Sequence, residues 1–519
     1  MNNKAFKGLF VLIIFGALVF RLAQLNLRPL HHDEANQAVK FGDLLEKGEY
    51  SYDRYDHHGP SLYYLSLPFA WIFSGKDFAS LSEKTLRLVP AIFGAGLILF
   101  FLLFKGGMSR WAIIFSGLFM AVSPVMVFFS RFYIQEILLL FFIAGIIGAG
   151  WRYSQKPSTG WALAAGFCAG MMYATKETCI IAFGALVFAL VLTKLFRRRL
   201  EFTKGSSNPP RLSHLIIGLG AALLICGLFY SSFIGNLSGP LDSLLAFGPY
   251  FSRAGEAGMH VHPWYYYIKM LAFSRYGPGP VWSEALILIL AIGGCFSAFK
   301  TRRENGSGYV FMRFVFFYTL LSTIIFSLIA YKTPWNILPF YIGMILLAGE
   351  GVVFIIRKTD KIWTRGVVLL LLGLGIFNLG AQSYRANFKY FADPRNPYVY
   401  AHTSTDFLNL VQRIEDIAPL HPDHKEMLIK VITDPYETWP LPWYLRKFSR
   451  VGYWQEVGAA GEILGVPIVI SSIDKLDKLQ ILLGDDYQSE FYGLRPEVLL
   501  AVYIRQDLWN KFLQKQAKR

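Results

Sequence analysis

Two adjacent carboxylates, Asp33 and Glu34, follow the first apolar run of the chain and come directly after His31 and His32. Neighbouring carboxylates raise each other's pKa, and a carboxylate placed against an apolar wall can act as a general base toward a hydroxyl group. A solvated pair of acids at an interface is the structural alternative. The pair is therefore a candidate catalytic site whose role depends on the residues that other segments bring beside it.

A second segment with histidines, Asp56-His57-His58-Gly59-Pro60, precedes a short apolar stretch at 61–73. Imidazole and carboxylate groups are common zinc ligands, so the two histidine segments together could bind a divalent metal ion. Their spacing does not diagnose a metal site in the way that HExxH does. Polar packing and hydrogen bonding to a substrate remain alternatives. The histidines that a metal site would use are His31, His32 and His57.

Charged residues also lie at three later breaks between long apolar runs. Ionisable groups close to membrane-embedded residues are costly unless they pair or line a polar cavity, which makes them functional candidates. Ion pairs within each break, or a lysine at the membrane interface beside a tryptophan, are the structural alternatives. These residues are Arg131 and Glu136 in the first break, Lys176 and Glu177 in the second, and Lys332 in the third.

Hydrophobic residues make up 54% of the chain, far more than in an ordinary soluble enzyme. Eleven apolar runs approach the length that crosses about 30 Å of hydrocarbon as a helix. We therefore predict a mainly α-helical, polytopic membrane protein with about eleven transmembrane helices. The runs are 8–27, 87–104, 112–129, 137–151, 161–175, 178–193, 214–234, 284–299, 311–330, 337–356 and 366–381.

The net charge of +16 comes from polar segments that alternate with the histidine- and acid-containing ones. Under the positive-inside rule the basic segments are cytoplasmic, so the N-terminus is inside and the other loops and the C-terminal tail are outside. The basicity is thus explained by membrane topology, and no nucleic-acid partner is expected. The basic segments are 1–8, 105–111, 152–160, 194–213, 300–313 and 357–365.

The composition divides the chain into a membrane part, 1–381, and a tail, 382–519. The tail contains short Val- and Ile-rich runs that are separated by polar segments of helical length. We therefore predict a small soluble α/β domain outside the membrane. The expected strands are Met427–Ile432, Val466–Ile470 and Val498–Ile504, and the expected helices are Thr405–Ile417 and Ile473–Leu483.

Two outer loops, 28–86 and 235–283, are too long for simple turns. The apolar stretch 61–73 of the first loop is too short to cross the membrane, so we expect a helix along the outer interface. Its aromatic residues Tyr63, Tyr64 and Trp71 would lie at the level of the lipid headgroups. The second loop is rich in aromatic, Gly and Pro residues, which indicates an irregular loop that could close over a site.

The chain resembles the GT-C membrane glycosyltransferases that use polyprenyl-phosphate sugars, a class that includes protein O-mannosyltransferases and lipid A aminoarabinose transferases. The motifs behind this resemblance are Asp33-Glu34, His58-Gly59-Pro60-Ser61-Leu62-Tyr63-Tyr64, Leu86-Arg87-Leu88-Val89-Pro90, and Ser130-Arg131-Phe132-Tyr133 ahead of Glu136. Three further segments resemble a branch related to archaeal flippase-activity-associated glycosylation proteins. They are 331–336, 398–404 and 436–444.

The resemblance implies that Asp33 is the catalytic base, that Glu34 assists or positions it, and that Glu136 is a second carboxylate where relatives often have Asp. It implies an inverting displacement in which cationic side chains stabilise the departing polyprenyl phosphate. Such cations can neutralise a monophosphate, so no cofactor is required, although a divalent metal ion remains an alternative. The phosphate ligands would be Arg131, Lys332 and Lys176, and the substrate pocket would contain His58, Tyr63, Glu177, Trp335 and Asn336.

The expected partners are a polyprenyl-phosphate sugar donor, a glycan, lipid or protein acceptor, and the surrounding membrane lipids. The expected location is the cell membrane, with the site and the tail on the extracytoplasmic side. A flippase or transporter for lipid-linked sugars is an alternative, but it would favour ionisable residues deep within the spans. A ligase with a pyrophosphate-linked donor and a non-catalytic assembly partner of glycan synthesis are further alternatives.

Overall fold

A computed structural model of the chain describes residues 1–55, 58–200, 211–249, 260–300 and 308–518. His57, one of the three histidines of the alternative metal site, lies outside the described residues. The chain forms a large helical part followed by a small domain with a mixed sheet.

The helical part consists of sixteen described helices, of which α6, α11 and α12 have only six or seven residues. A 3₁₀ segment, Leu97–Phe104, extends α4, and a π-helical turn, Arg385–Lys389, extends α16. The helices are α1 Asn3–Leu22, α2 His32–Lys47, α3 Ser61–Phe73, α4 Glu83–Gly96, α5 Arg110–Val122, α6 Pro124–Phe129, α7 Glu136–Gln155, α8 Thr159–Tyr173, α9 Cys179–Leu200, α10 Leu212–Tyr230, α11 Gly239–Leu245, α12 Tyr266–Ala272, α13 Ala285–Lys300, α14 Gly308–Leu328, α15 Leu338–Lys358 and α16 Ile362–Tyr384.

The described residues contain eight helices that are long and apolar enough to cross a membrane, and Arg110–Val122 and Ala285–Phe299 are shorter apolar helices. A helix lies over each apolar run that the sequence analysis identified, and Ser123 and Pro124 divide the run 112–129 into α5 and α6. The prediction of a mainly α-helical, multi-pass membrane protein is confirmed.

The apolar stretch 61–73 forms helix α3 with the predicted bounds. Its first aromatic residue, Tyr63, is fully buried, and its hydroxyl donates to the side chain of Gln37 in α2. Trp71 is 53% exposed on the same helix. Tyr63 therefore faces the protein interior, and the level of this helix relative to the lipid headgroups stays a prediction.

The second long loop is more ordered than its composition predicts. It contains α11 and α12, and Val261 forms an antiparallel bridge with Tyr331. The main-chain N–H of Lys332 also donates to the carbonyl of His260 at 2.8 Å. These bonds hold the described part of the loop against the segment between α14 and α15, while its role as a lid stays a prediction.

A buried carboxylate, Glu284, joins four parts of the chain just before α13. It accepts hydrogen bonds from the Ser123 hydroxyl (2.6 Å), the Val125 amide (2.9 Å), the Tyr341 hydroxyl (2.5 Å) and the Tyr398 hydroxyl (2.9 Å). Buried polar groups are stable only when their hydrogen bonds are satisfied. Glu284 therefore fixes the segment that leads into the tail against the membrane helices.

The small domain contains a five-stranded sheet with the order β2-β1-β3-β5-β4. Strand β1 is parallel to β2 and β3, whereas β5 is antiparallel to β3 and β4. The elements are α17 Asp406–Ile417, β1 Ile429–Ile432, α18 Pro435–Thr438, α19 Leu441–Tyr444, β2 Val451–Trp454, β3 Ile468–Ser472, α20 Leu476–Leu483, β4 Tyr487–Arg495, β5 Val498–Arg505 and α21 Gln506–Ala517.

All five elements predicted for this domain are present, and the sequence analysis missed β2, β4, α21 and the four-residue helices α18 and α19. Strands β1 and β3 are buried along their whole length, which explains their continuous apolar runs. Strand β2 is a partly exposed edge strand, and β4 contains both polar and aromatic residues. Both lack the apolar run on which the prediction relied.

Close packing between α13 and α15 depends on two glycines. A Cβ atom at Gly351 would lie 1.9 Å from the carbonyl oxygen of Leu290, and one at Gly294 would lie 2.0 Å from that of Leu347. Small residues allow two helix backbones to approach in this way inside a membrane.

Replacing Gly351 with Ala should separate α13 from α15 and destabilise the protein by about 1–3 kcal/mol, the usual cost of overpacking. The matched control is Gly373→Ala in α16, where an added methyl group would meet no atom within 4 Å. Thermal unfolding in detergent micelles measures both effects. Equal melting temperatures for the two variants would contradict the proposed packing.

Candidate active site

The carboxylate of Glu34 is fully buried and forms a two-point ion pair with Arg87 of α4. Arg87 Nη2 lies 2.6 Å from Oε2, and Nε lies 2.7 Å from Oε1. The main-chain N–H of Tyr133 donates to the same carboxylate at 2.8 Å. Burial alone would raise the pKa of Glu34, but Arg87 outweighs it and holds the pKa below its usual value. Glu34 thus positions α2, and it has no exposed oxygen with which to contact a substrate.

His31 is the N-terminal cap of α2. Its Nδ1 atom accepts a hydrogen bond from the Asp33 amide at 3.0 Å, and its Nε2 atom lies 3.0 Å from the carbonyl oxygen of Tyr400. The ring is therefore a neutral imidazole with the proton on Nε2, and burial lowers its pKa. Because both nitrogens are occupied, His31 is not available as a metal ligand.

The residues that the structure describes do not fit a metal site. No group of three or more His, Cys, Asp or Glu side chains with suitable geometry occurs within the described ranges. His32, the other described histidine of the alternative metal site, lies against the small domain, and burial lowers its pKa to about 4. The metal alternative is contradicted for His31, and it gains no support from His32.

Asp33 differs from Glu34 because its side chain is about 41% exposed. Burial tends to raise the pKa of Asp33, but the surrounding basic groups together hold it below its usual value. Asp33 is therefore an ionised carboxylate that remains open to a ligand. The basic groups are His31, His32, His58 and Lys176.

Lys176 and Glu136 form a buried ion pair near Asp33. The lysine precedes α9 and the glutamate begins α7. Burial lowers the pKa of Lys176, but Glu136 more than offsets this effect and raises it. The Oε2 atom of Glu136 is shielded from solvent and has no donor among the described residues. The pair thus places an ammonium group and one buried carboxylate oxygen without a donor near the base candidate.

Glu177 orients a histidine at the same place. Its Oε2 atom lies 2.8 Å from Nδ1 of His58, and its Oε1 atom accepts from the Tyr52 hydroxyl at 3.3 Å. A carboxylate on one ring nitrogen leaves the other nitrogen to face a substrate. The structure therefore brings together five residues that the sequence analysis selected: Asp33, His58, Glu136, Lys176 and Glu177.

Gly59 allows the His58 segment to reach this position. A Cβ atom there would lie 2.3 Å from the carbonyl oxygen of Ala174. The Ser61 amide donates to the same carbonyl at 3.0 Å, and the hydroxyls of Ser61 and Thr175 are 2.8 Å apart. The Gly-Pro-Ser motif thus fixes the loop before α3 against the turn that contains Lys176.

Arg131 and Lys332 bond to main-chain carbonyls. The guanidinium of Arg131 donates to four carbonyls at the C-terminal end of α1, those of Phe20, Arg21, Ala23 and Gln24. The ammonium of Lys332 donates to the carbonyls of His262 (3.0 Å) and Ile329, and its side chain is buried. Carbonyls at helix ends attract such cations, and the assignment of the two residues as phosphate ligands stays a prediction.

The remaining pocket candidates mainly support the site. Trp335 is buried, with its ring centre 5.9 Å from that of His31 and 5.7 Å from that of Phe132. Asn336 is partly exposed in the same turn, whereas Tyr63 is buried below α2. Trp335 therefore helps to hold the cap of α2, and the placement of Tyr63 excludes it from an open pocket.

The sequence analysis missed contributions from distant segments. The Nδ1 atom of His260 lies 2.7 Å from the Tyr400 hydroxyl, and Asp33 is close enough to affect the pKa of His260, which burial lowers. The ring centre of His402 is 4.7 Å from that of His31. The resemblance of 398–404 to a family segment was the one signal that could have indicated these contacts.

The family model of dolichyl-phosphate-mannose-protein mannosyltransferases matches residues 10–234. An undecaprenyl phosphate-alpha-4-amino-4-deoxy-L-arabinose arabinosyl transferase from Pseudomonas paraeruginosa is 31% identical over 131 residues, which are 25% of this chain and 21% of that protein. A Pseudomonas aeruginosa protein of the same name is 32% identical over an equal length. The chain spans about one fifth of the length of these curated relatives.

The structure of ArnT from Cupriavidus metallidurans in the apo state superposes with a TM-score of 0.63 at 16% identity, covering 96% of this chain and 98% of that one. This chain has the fold of ArnT. The archaeal oligosaccharyltransferase AglB from Archaeoglobus fulgidus has a TM-score of 0.55 at 13% identity, covering 94% and 74%. The predicted resemblance to membrane glycosyltransferases with polyprenyl-phosphate sugars is confirmed.

Replacing Glu34 with Gln should destabilise the protein by about 3–5 kcal/mol, because Arg87 would keep its buried charge without a carboxylate. Glu49→Gln changes an exposed acid in the same loop and serves as the control. Thermal unfolding in micelles at neutral pH compares them. The stabilisation by Glu34 should also decrease as the pH falls below about 4.5, since its pKa is lowered in the folded state. A Glu34→Gln variant as stable as Glu49→Gln would refute this role.

Proposed function

We propose that the protein is a membrane glycosyltransferase that moves a sugar from a polyprenyl-phosphate donor to an acceptor hydroxyl. The main support is the cluster around Asp33, which joins a half-exposed carboxylate to Lys176, Glu136 and His58. The cluster lies within the region that the mannosyltransferase family model matches. ArnT has been solved with undecaprenyl phosphate and AglB with dolichol-phosphate, which supports a lipid-phosphate donor here.

The reaction is an inverting displacement at the anomeric carbon of the donor sugar. Asp33 accepts the proton of the acceptor hydroxyl while the acceptor oxygen forms a bond to that carbon. The bond between the carbon and the phosphate oxygen breaks, and its electron pair leaves with the polyprenyl phosphate. Lys176 has three N–H donors, of which Glu136 occupies one. The other two can stabilise the leaving phosphate.

The charged cluster also argues against a pathway across the membrane. Its residues follow α1, precede α3, begin α7 and separate α8 from α9, so they gather at one end of the long helices. Transport of a charged headgroup would favour ionisable residues spread along the spans. The cluster therefore favours chemistry at one membrane face.

Asp33→Asn should reduce transfer by about 100-fold to 10,000-fold, the usual contribution of a general base. The melting temperature should remain unchanged, because Asp33 is partly exposed and the buried anchor is Glu34. Asp43→Asn, an exposed acid of the same helix, is the control. Formation of glycosylated acceptor from a labelled polyprenyl-phosphate hexose measures the effect. Full transfer by Asp33→Asn would exclude the proposed base.

We further propose that residues 1–381 form the membrane domain and that residues 382–519 form an extracytoplasmic domain. The N-terminus is cytoplasmic in this topology, because the basic segments lie on the inner side. The cluster around Asp33 and the small domain then share the outer compartment. Contacts between His31 and Tyr400 support a common side for the two.

Single cysteines test this orientation in a background from which the four native cysteines have been removed. Glu49→Cys and Asp485→Cys should react with an impermeant maleimide in intact cells. Lys361→Cys, in a basic segment, should react only after permeabilisation. All three positions are exposed in the structure. If positions 49 and 485 were labelled from opposite sides of the membrane, the small domain and the cluster around Asp33 would lie in different compartments. That result would contradict the proposed topology.

A further inference from the structure

The small domain presents a group of polar and aromatic side chains to His32, the residue next to the proposed base. The ring centre of Trp439 is 6.0 Å from that of His32. The main-chain carbonyl of Tyr436 bonds to the same histidine and also accepts from Arg495 Nη2. The Tyr436 side chain itself is 78% exposed. Helix α18 and the end of β4 thus form one wall beside the site.

Glu437 adds an unsatisfied carboxylate to this wall. Its Oε2 atom is shielded from solvent, and no described residue donates a hydrogen bond to it. Arg495 is close enough to interact with Glu437 electrostatically. A buried acceptor without a donor is unfavourable, and a ligand hydroxyl could supply the missing hydrogen bond.

The position of the wall suits an acceptor. Asp33 is close to His32 on the side of the small domain and to Lys176 on the side of the ion pair. In an inverting displacement the acceptor approaches the anomeric carbon opposite the leaving phosphate. If Lys176 binds the phosphate, the acceptor hydroxyl must reach Asp33 from the side that the small domain lines.

We propose that Tyr436, Glu437, Trp439 and Arg495 form an acceptor subsite that binds a pyranose ring, so that the accepting hydroxyl belongs to a carbohydrate. This inference rests on the proposed function and specifies its acceptor. Aromatic rings offer flat apolar surfaces to the C–H faces of a sugar, and the two charged groups bond to its hydroxyls. A free glycan and a glycolipid headgroup share this chemistry.

An extended peptide fits the wall less well. The segment between β1 and β2 contains Pro435 and Pro440, which have no N–H group to donate. Peptides that bind along a main chain depend on such donors. The wall instead offers side chains, and their types match hydroxyl groups better than a peptide backbone.

The test uses the full-length protein in lipid nanodiscs. Saturation-transfer NMR measures binding of methyl hexopyranosides, octyl hexopyranosides and a threonine-containing hexapeptide, and transfer assays give the KM for acceptor and donor. The variants are Trp439→Ala and the conservative Glu437→Gln. The controls are Trp363→Ala, an exposed tryptophan at the start of α16, and Glu497→Gln, an exposed acid near Arg495.

Both test variants should raise the acceptor KM by about tenfold, as expected for loss of a hydrogen bond to a charged group or a ring contact. The donor KM and the melting temperature should remain unchanged, and both controls should behave as wild type. Stronger binding of octyl hexopyranosides than of methyl hexopyranosides would indicate a lipid-linked acceptor. Equal binding of the two would indicate a free glycan. Either result supports a carbohydrate acceptor.

Binding of the peptide but not of the hexosides would overturn the inference in favour of a protein acceptor. An unchanged acceptor KM in both variants would overturn the subsite. The proposed function fails in a different way, when wild-type protein yields no product from any polyprenyl-phosphate hexose. Hexoside binding that depends on Trp439 would then still support the subsite, because the NMR measurement needs no turnover.

Discussion

The ion pair between Glu34 and Arg87 is the constraint on which the site depends. Arg87 bonds to both carboxylate oxygens of Glu34 and also to the carbonyls of Leu25 and Arg28. A buried pair of this kind adds little net stability compared with apolar packing, but loss of one partner is costly. The main effect of the Glu34–Arg87 ion pair is to position the segments that it joins. It joins the segment after α1, the first turn of α2 and the second turn of α4, and thereby fixes the direction in which the neighbouring residue, Asp33, points.

The adjacent carboxylates Asp33 and Glu34 therefore have different roles within one turn of α2. Glu34 is buried and accepts from several donors, whereas the Asp33 side chain is partly exposed. The pKa of Asp33 lies below its usual value, so this carboxylate is ionised and can accept a proton. The charged groups of Arg131 and Lys332 bond to main-chain carbonyls near the ends of α1 and α14. In the described part of the chain, Lys176 is thus the ammonium group near the proposed base.

Sequence reasoning identified the features that local pattern determines. It gave the helix at 61–73, the buried strands β1 and β3, and the charged breaks that contribute Glu136, Lys176 and Glu177. It did not predict the carbonyl partners of Arg131 and Lys332, because a sequence does not reveal whether a basic side chain turns toward a cavity or back to a helix end. It also missed His260 and Glu284, which bond to Tyr400 and Tyr398 in a segment more than a hundred residues away.

The small domain is part of the site rather than an appendage. Immediately before the cap of α2, the Leu30 amide donates to the Tyr444 hydroxyl at 2.9 Å, and the Leu30 carbonyl accepts from Thr403 at 2.7 Å. Tyr400 then holds the ring of the capping histidine. Residues of the tail thus supply hydrogen-bond partners for the segment at the N-terminus of α2. Because the proposed base lies in the first turn of that helix, its orientation is set by residues about 370 positions later in the chain as well as by Arg87.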